Sequence, residues 1–342
     1  ILGYSAKYDI LFIAFLFLTP SQLIYANMIM SDTLFQFFII LAFWFFIKYM
    51  NDRYTINGLI YSLLIGLSVL TKPVIVYFIF ANALFFIWIS IKGRSVKPLL
   101  ISLIPLIILF TYQYRNYRQT GVFEVSSIVT ANVLDFNIYY YLVKTDGLQT
   151  ADSTVSSIDS ISALQGTYKN KVAFKKQHSV LIVMQRPVSY FIFHTKGMAG
   201  FFLDPGRFDL VNFFNLNAEK INGLLSQINE IGLKGALAFL FKHSFALLIT
   251  LAIIFLVNIF KFICLIGFIF QRSSNKYIKW FMLFLIFYIA FLTGPLGVSR
   301  YMMPLVPLYI GCCLVFLSQT LNKKTDSGWQ SILQKPKLKS QN

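Results

Sequence analysis

The chain has 342 residues, of which 57% are hydrophobic and only 13% charged, and its mean hydropathy is +0.68. Soluble domains carry about 25% charged residues, so one aqueous core of this Phe, Ile and Leu content is excluded and lipid is the expected solvent. The net charge of +17 would suit nucleic acid. The Lys and Arg residues, however, sit between apolar runs and form no basic, aromatic-interleaved groove, so they read as topology control and no nucleic-acid partner is expected.

Taken in chain order, apolar runs fit to cross about 30 Å of hydrocarbon are predicted at 10–30, 33–47, 58–70, 74–91, 99–114, 245–268, 280–293 and 302–321. The expected fold is all-α: a polytopic transmembrane helix bundle of about eight spans. Several runs are short and call for tilt or local thinning. Pro20, Pro105, Pro304 and Pro307 fall within or near spans, where neighbouring helices can satisfy the freed carbonyls. The organisation reads as helices over 1–114, an external loop over 115–244, helices over 245–321 and a basic tail over 322–342.

Within the long loop, 126–167 is rich in Ser, Thr, Asn and Asp. The stretch 171–203 mixes apolar 180–184 and 190–193 with Lys175, Lys176, His178, Arg186 and Lys196, and Pro187 suits a first helical position. Two amphipathic helices lying on the outer leaflet are expected there. A span at 188–203 is the alternative; it would carry His194 and Lys196 and invert the later charges. The first residue is Ile1 and no signal-peptide pattern precedes the first span, so the sequence reads as lacking its own beginning.

Alternating sides along eight spans places Lys7, Lys48, Arg53, Lys92, Arg94, Lys97, Arg272, Lys276, Lys279 and the tail lysines 323, 324, 335, 337 and 339 on one side, against only Asp9, Asp52 and Asp326. The other side receives three short turns and the long loop, whose acids nearly balance its bases. Short basic loops stay in the cytoplasm. The expectation is a multi-pass protein of the cytoplasmic membrane with its long loop outside.

The outward span ends collect polar residues. Asp32 opens the second run, Lys72 interrupts 58–91 beside Pro73, Arg115 and Asn116 follow the fifth run, and Arg300 and Tyr301 open the last. Ionisable groups near lipid are costly and usually functional, and three cations on one face suit a lipid phosphate or pyrophosphate. Singly, each cation reads equally well as an anchor that snorkels to headgroups, and Asp32 as a helix N-cap. Asp204, beside Pro205 and Gly206, reads as a turn residue.

Cys264, Cys312 and Cys313 lie in apolar runs without metal or disulfide spacing. His178, His194 and His243 are scattered, so no metal and no cofactor is expected. No Gly-rich phosphate loop, Ser-His-Asp order or CxxC is present.

Four stretches carry a resemblance: Met30-Ser31-Asp32-Thr33-Leu34-Phe35, Gly66-Leu67-Ser68-Val69-Leu70-Thr71-Lys72-Pro73, Tyr114-Arg115-Asn116-Tyr117 with Gly121-Val122-Phe123, and Arg300-Tyr301-Met302-Met303-Pro304. In order and in common side they are similar to the GT-C glycosyltransferases of family 39, the dolichyl-phosphate-mannose protein mannosyltransferase type, with bacterial aminoarabinose lipid A transferases among them. The resemblance implies a GT-C-like bundle and a transferase that takes a sugar from a polyprenyl-phosphate donor at the outer face. It implies that Lys72, Arg115, Arg300 and Tyr301 bind the donor phosphate and that Asp32 is an acid on the sugar or acceptor side. The family's catalytic base, in its first external loop, would fall upstream of Ile1, and Asp9 is on the opposite side by the charge pattern. A non-enzymatic transporter or flippase of polyprenyl-linked glycans, and an O-antigen ligase or polymerase, are the alternatives. A transporter favours an internal repeat and mid-membrane charge; no repeat is visible.

Overall fold

The broken entry of the chain into the bundle follows from three residues. In the computed structural model, α1 (Asp9–Phe17) stops where the Thr19 hydroxyl turns back to donate to the Phe15 carbonyl at 2.8 Å, and Pro20, with no N–H to offer, opens α2 (Pro20–Ala26). The two helices meet at 73°. The structure describes residues 8–214, 224–273 and 275–333, with side chains except at 224–244, 296 and 322–333. Lys7, His243, Asp326 and the tail lysines therefore lie outside the described side chains.

Beyond this break run α3 (Ser31–Asp52), α4 (Thr55–Thr71), a 3-10 turn Pro73–Ile75 leading into α5 (Val76–Gly93), and α6 (Lys97–Thr120). After the long middle segment come α13 (Leu224–Phe270), α14 (Lys276–Leu292) and a 3-10 turn Gly294–Leu296. The short α15 (Ser299–Met302), a second 3-10 turn Met303–Leu305 and α16 (Val306–Leu333) complete the order. No strand occurs among the described residues.

The eight predicted runs lie largely on helix, 10–30 being broken at 18–19 and leaving the helix after Ala26, but among the described residues only five stretches are long and apolar enough to cross a membrane: Ser31–Asp52, Pro73–Gly93, Lys97–Thr120, Phe245–Phe270 and Ser299–Leu321. Counting the bent α1–α2 pair as one span brings the number to six. Both α4 and α14 have 17 residues, which puts them below that length. This is a multi-pass helical membrane architecture in which eight full crossings are not shown.

Apolar burial gives little drive between helices in lipid, so close packing and interhelical hydrogen bonds must hold them. Gly58 and Gly66 on α4 face Ile101 and Ile108 of α6 so tightly that an added Cβ would overlap the isoleucine side chains, and the Ser62 hydroxyl donates to the Ile101 carbonyl at 2.5 Å. Phe46 stacks on Phe281 with centroids 4.1 Å apart, joining α3 to α14 in a buried aromatic cluster with Tyr61 and Phe78. Lys279 is buried and donates to the carbonyls of Ile269 (2.8 Å) and Gln271 (2.5 Å), satisfying acceptors that the end of α13 leaves open.

The long loop is helical throughout its described part: α7 (Ile128–Ala131), a π-helical segment Asn132–Ile138, α8 (Tyr139–Asp146), α9 (Leu148–Ala163), α10 (Tyr168–Gln185), α11 (Pro187–Leu203) and α12 (Arg207–Phe213). It is more than two helices laid on a leaflet. Leu134, Ile138, Leu142, Ala151 and Ile158 form a small core of their own, against which α10 and α11 place Phe174, Ile182, Val183 and Tyr190. The C-terminal end of α11 enters the main bundle, with Phe201 and Phe202 buried. Val180, Leu181, Met184, Val188, Phe191 and Ile192 stay exposed.

Where α11 crosses the α14–α15 turn, glycine is required. A Cβ on Gly197 or Gly200 would overlap the carbonyl oxygens of Gly294 and Gly297, and the converse holds for Gly297 against Gly197. Finally, α13 begins at Leu224, well ahead of the expected span start at 245, so part of the segment assigned to the loop belongs to its helix.

Candidate functional site

Asp32 lies in the first turn of α3, where the helix dipole favours a negative charge. Its side chain is fully buried, and each oxygen has a cation: Lys72 Nζ on Oδ1, and Arg300 on Oδ2 at 3.3 Å. The three groups come from α3, from the α4–α5 turn and from α15. One carboxylate facing two cations leaves the cluster with an excess of one positive charge.

The surrounding structure fixes each member. Tyr288 of α14 donates to the Val74 carbonyl at 2.6 Å and accepts from the Phe78 N–H at 3.0 Å, which pins the turn bearing Lys72. Gln36, one turn along α3 from Asp32, donates to the Met303 carbonyl at 2.8 Å and so holds the Arg300 segment against α3. Arg300 lies over the Tyr25 ring, 5.3 Å from its centroid. Its Nε is buried and makes no hydrogen bond to the described residues, whereas the side chain as a whole is 39% exposed. Arg300 thus has one buried, unbonded donor on a side chain that is otherwise partly exposed.

A second group of carboxylates adjoins the first. Asp209 is buried and accepts from the Tyr25 hydroxyl at 2.6 Å and from the Ser299 hydroxyl at 2.7 Å. Asp204 accepts from the Ser299 N–H at 2.6 Å and from the Gly206 N–H at 3.1 Å. The expected turn role of Asp204 is present in the Gly206 contact, and the bond to Ser299 ties that turn to the residue before Arg300. Burial raises the Asp204 carboxyl above the ordinary range, against the lowering effect of these two N–H donors. Tyr25, Asp209 and Ser299 were not singled out by the sequence.

Arg115 stands apart from this cluster. It is exposed near the end of α6, where it donates to Asn116 Oδ1 at 3.3 Å and lies 5.5 Å from the Tyr112 ring; the ion pairs of Asp32 are made by Lys72 and Arg300. Asn116 donates to the carbonyls of Glu124 (2.9 Å) and Val125 (3.0 Å), closing the α6 exit. Tyr301 is half-buried and packs on the main core.

One cation hidden in an apolar run was also missed. Lys261, in the C-terminal third of α13, is buried and donates to the Thr19 hydroxyl at 3.1 Å, at the break between α1 and α2. One turn earlier on the same helix, Asn258 donates to the Asp204 carbonyl at 3.0 Å. His178 donates to the Phe174 carbonyl (2.9 Å) and His194 to the Phe291 carbonyl (2.6 Å), each in a separate place.

Comparison with protein-family models, with curated proteins and with solved structures finds no match to this chain. Its functional reading therefore stands on the site itself.

Proposed function

We propose that the protein is a membrane glycosyltransferase that moves a sugar from a polyprenyl-phosphate donor to a lipid, glycan or protein acceptor at the outer face of the cytoplasmic membrane. The observation that carries this reading is the Lys72–Asp32–Arg300 cluster, with its excess positive charge and the uncommitted Nε of Arg300. In this reading the donor phosphate sits against Arg300 and Lys72, and Tyr301 flanks its approach, while Arg115 has no part in it. Acceptor oxygen or nitrogen bonds to the anomeric carbon as the bond from that carbon to the phosphate oxygen breaks. The electron pair leaves on polyprenyl phosphate, and the acceptor proton passes to a base. The two cations stabilise the charge that develops on the leaving oxygen. Asp32, the acid nearest this centre, holds both cations in register.

The same reading has all eight helical segments crossing the membrane, the short α4 and α14 in locally thinned or tilted form, with the Asp32 end outside. Membranes bearing the protein, incubated with a labelled polyprenyl-phosphate sugar, test it. Lys72→Ala and Arg300→Ala, at unchanged expression, are each expected to lower transfer about 100-fold or more, the range for loss of one charge-stabilising donor. Undiminished transfer in both variants, or movement of the labelled lipid across the membrane with no new glycosidic bond, contradicts the proposal.

A further inference from the structure

At the end of the bundle away from Asp32, a cleft of about 570 Å³ opens between the C-terminal ends of α3 and α5 and the starts of α6 and α14. Its volume falls within the roughly 300–1,000 Å³ of small-molecule sites. Arg53, Lys92 and Lys97 line it together with Tyr49, Trp88 and Tyr277, and no carboxylate does. We propose that this cleft binds the phosphate headgroup of an anionic phospholipid from the leaflet at that end.

Three features support a built site over a row of snorkelling anchors. First, Arg53 forms no ion pair among the described residues and lies 5.7 Å from the Tyr49 ring centroid, while the neighbouring Asp52 accepts from the Tyr54 N–H at 3.0 Å and from Asn57 Nδ2 at 2.9 Å. Second, Lys92 is held by aromatic groups. It donates to the Tyr277 hydroxyl at 3.1 Å and lies 5.2 Å from the Trp88 ring and 5.8 Å from the Tyr277 ring. An accepting Tyr277 oxygen leaves its own proton to donate into the cleft. Third, Arg53 takes a left-handed backbone (φ 59°) at the end of α3, a position that ordinarily selects glycine. A side chain kept there at a cost in backbone energy points to a use for that side chain.

The apolar walls favour a lipid over a soluble phosphate. Met50, Ile89 and Pro98 line the cleft beside the cations, and the exposed Trp88 and Ile91 continue the apolar surface along α5. A phosphodiester headgroup would meet the cations while its chains follow that surface. Basic pockets between membrane helices bind anionic headgroups in this manner.

The test is lipid retention by the full chain, read by native mass spectrometry after extraction from bilayers of phosphatidylcholine with graded phosphatidylglycerol. Wild type is expected to retain phosphatidylglycerol over phosphatidylcholine. Arg53→Gly with Lys92→Ala should weaken that retention about thirtyfold, from two headgroup cations lost. Glycine at 53 keeps the left-handed turn, so unfolding does not confuse the result. A charge-matched pair in the helical layer between α6 and α13, Lys144→Ala with Lys176→Ala, should retain lipid as wild type does. Equal retention by the Arg53/Lys92 variant overturns the proposal, as does equal loss in the charge-matched pair. Inorganic phosphate at millimolar concentration is the last arm. Full displacement of the lipid by phosphate alone would make this a soluble-anion site and overturn the lipid assignment.

Discussion

The Tyr25 hydroxyl donates to the Asp209 carboxylate at 2.6 Å across 184 residues of sequence, and the ring of the same tyrosine carries Arg300 over it, 5.3 Å from its centroid. Asp209 also holds Ser299, the residue before Arg300. Asp209→Ala strands two buried hydroxyls. Hydrogen bonds to charged groups contribute about 1.5–3 kcal/mol each, so a loss on the order of 3 kcal/mol is expected. Asp209→Asn, which keeps an acceptor, should lose less. Thermal denaturation in detergent gives both values; equal melting of wild type and the alanine variant would contradict the network.

Removing Asp32 should disturb the fold more than removing either cation. Asp32→Ala leaves Lys72 and Arg300 facing each other, whereas Lys72→Ala leaves Asp32 paired with Arg300. Breaking a buried pair from one side costs about 3–5 kcal/mol; solvent at the partly exposed cations brings the expectation to roughly 2 kcal/mol for Asp32→Ala. A double-mutant cycle over Asp32→Ala and Lys72→Ala should show coupling of about 0.5–3 kcal/mol. Strict additivity would mean that the two residues do not interact.

The glycine crossing predicts a local defect. Gly197→Ala or Gly200→Ala puts a methyl into backbone that cannot yield as a side chain can, so α11 must lift from the turn at Gly294. Limited proteolysis should then cut near 186–206 faster than in wild type, while Gly93→Ala, whose added Cβ meets nothing within 4 Å, should leave the digestion pattern unchanged.

In the helical layer between α6 and α13, the Thr145 hydroxyl and then the Arg186 guanidinium hold the Asp146 carboxyl below its ordinary range. A carboxyl depressed in the folded state adds stability above its unfolded pKa of about 3.9, and that contribution is lost as pH falls through the folded value. The difference in protease resistance between wild type and Asp146→Asn should therefore be full near neutrality and vanish on acidification below about pH 3.9. A difference that persists at pH 2 would assign it to some other cause.

The membrane helices were legible because hydropathy reports burial in lipid directly, and the predicted runs fall largely on helix. Length was less legible: 58–70 and 280–293 are apolar yet belong to helices of 17 residues, bounded by Lys72-Pro73 and by the Asn275 cap and the Gly294-Pro295 turn. Asp32, Lys72 and Arg300 could be picked out as charges at apolar boundaries, and all three meet. Arg115 carries the same signal but does not join them, since boundary position fixes depth in the membrane and not direction around the bundle. Asp209 escaped because an acid between Phe208 and Leu210 in a short helix has no periodicity to mark it. Lys261 did carry a signal, a lone cation midway along an apolar run, of the kind that ordinarily marks function. The small core of the long loop was hidden by its many Ser and Thr residues, which suggest turns until Leu134, Ile138, Leu142 and Ile158 are seen to share one cluster.

The 268 residues that separate Asp32 from Arg300 also give the cluster an order of assembly. A nascent chain that has inserted α3 through α5 holds Asp32 and Lys72 as a neutral pair, with no surplus charge to attract an anion. The surplus arrives only with Arg300, whose segment Gln36 holds by donating to the Met303 carbonyl and whose guanidinium lies over the Tyr25 ring. In the proposed reading, attraction for a phosphate is thus a joint property of segments far apart in sequence.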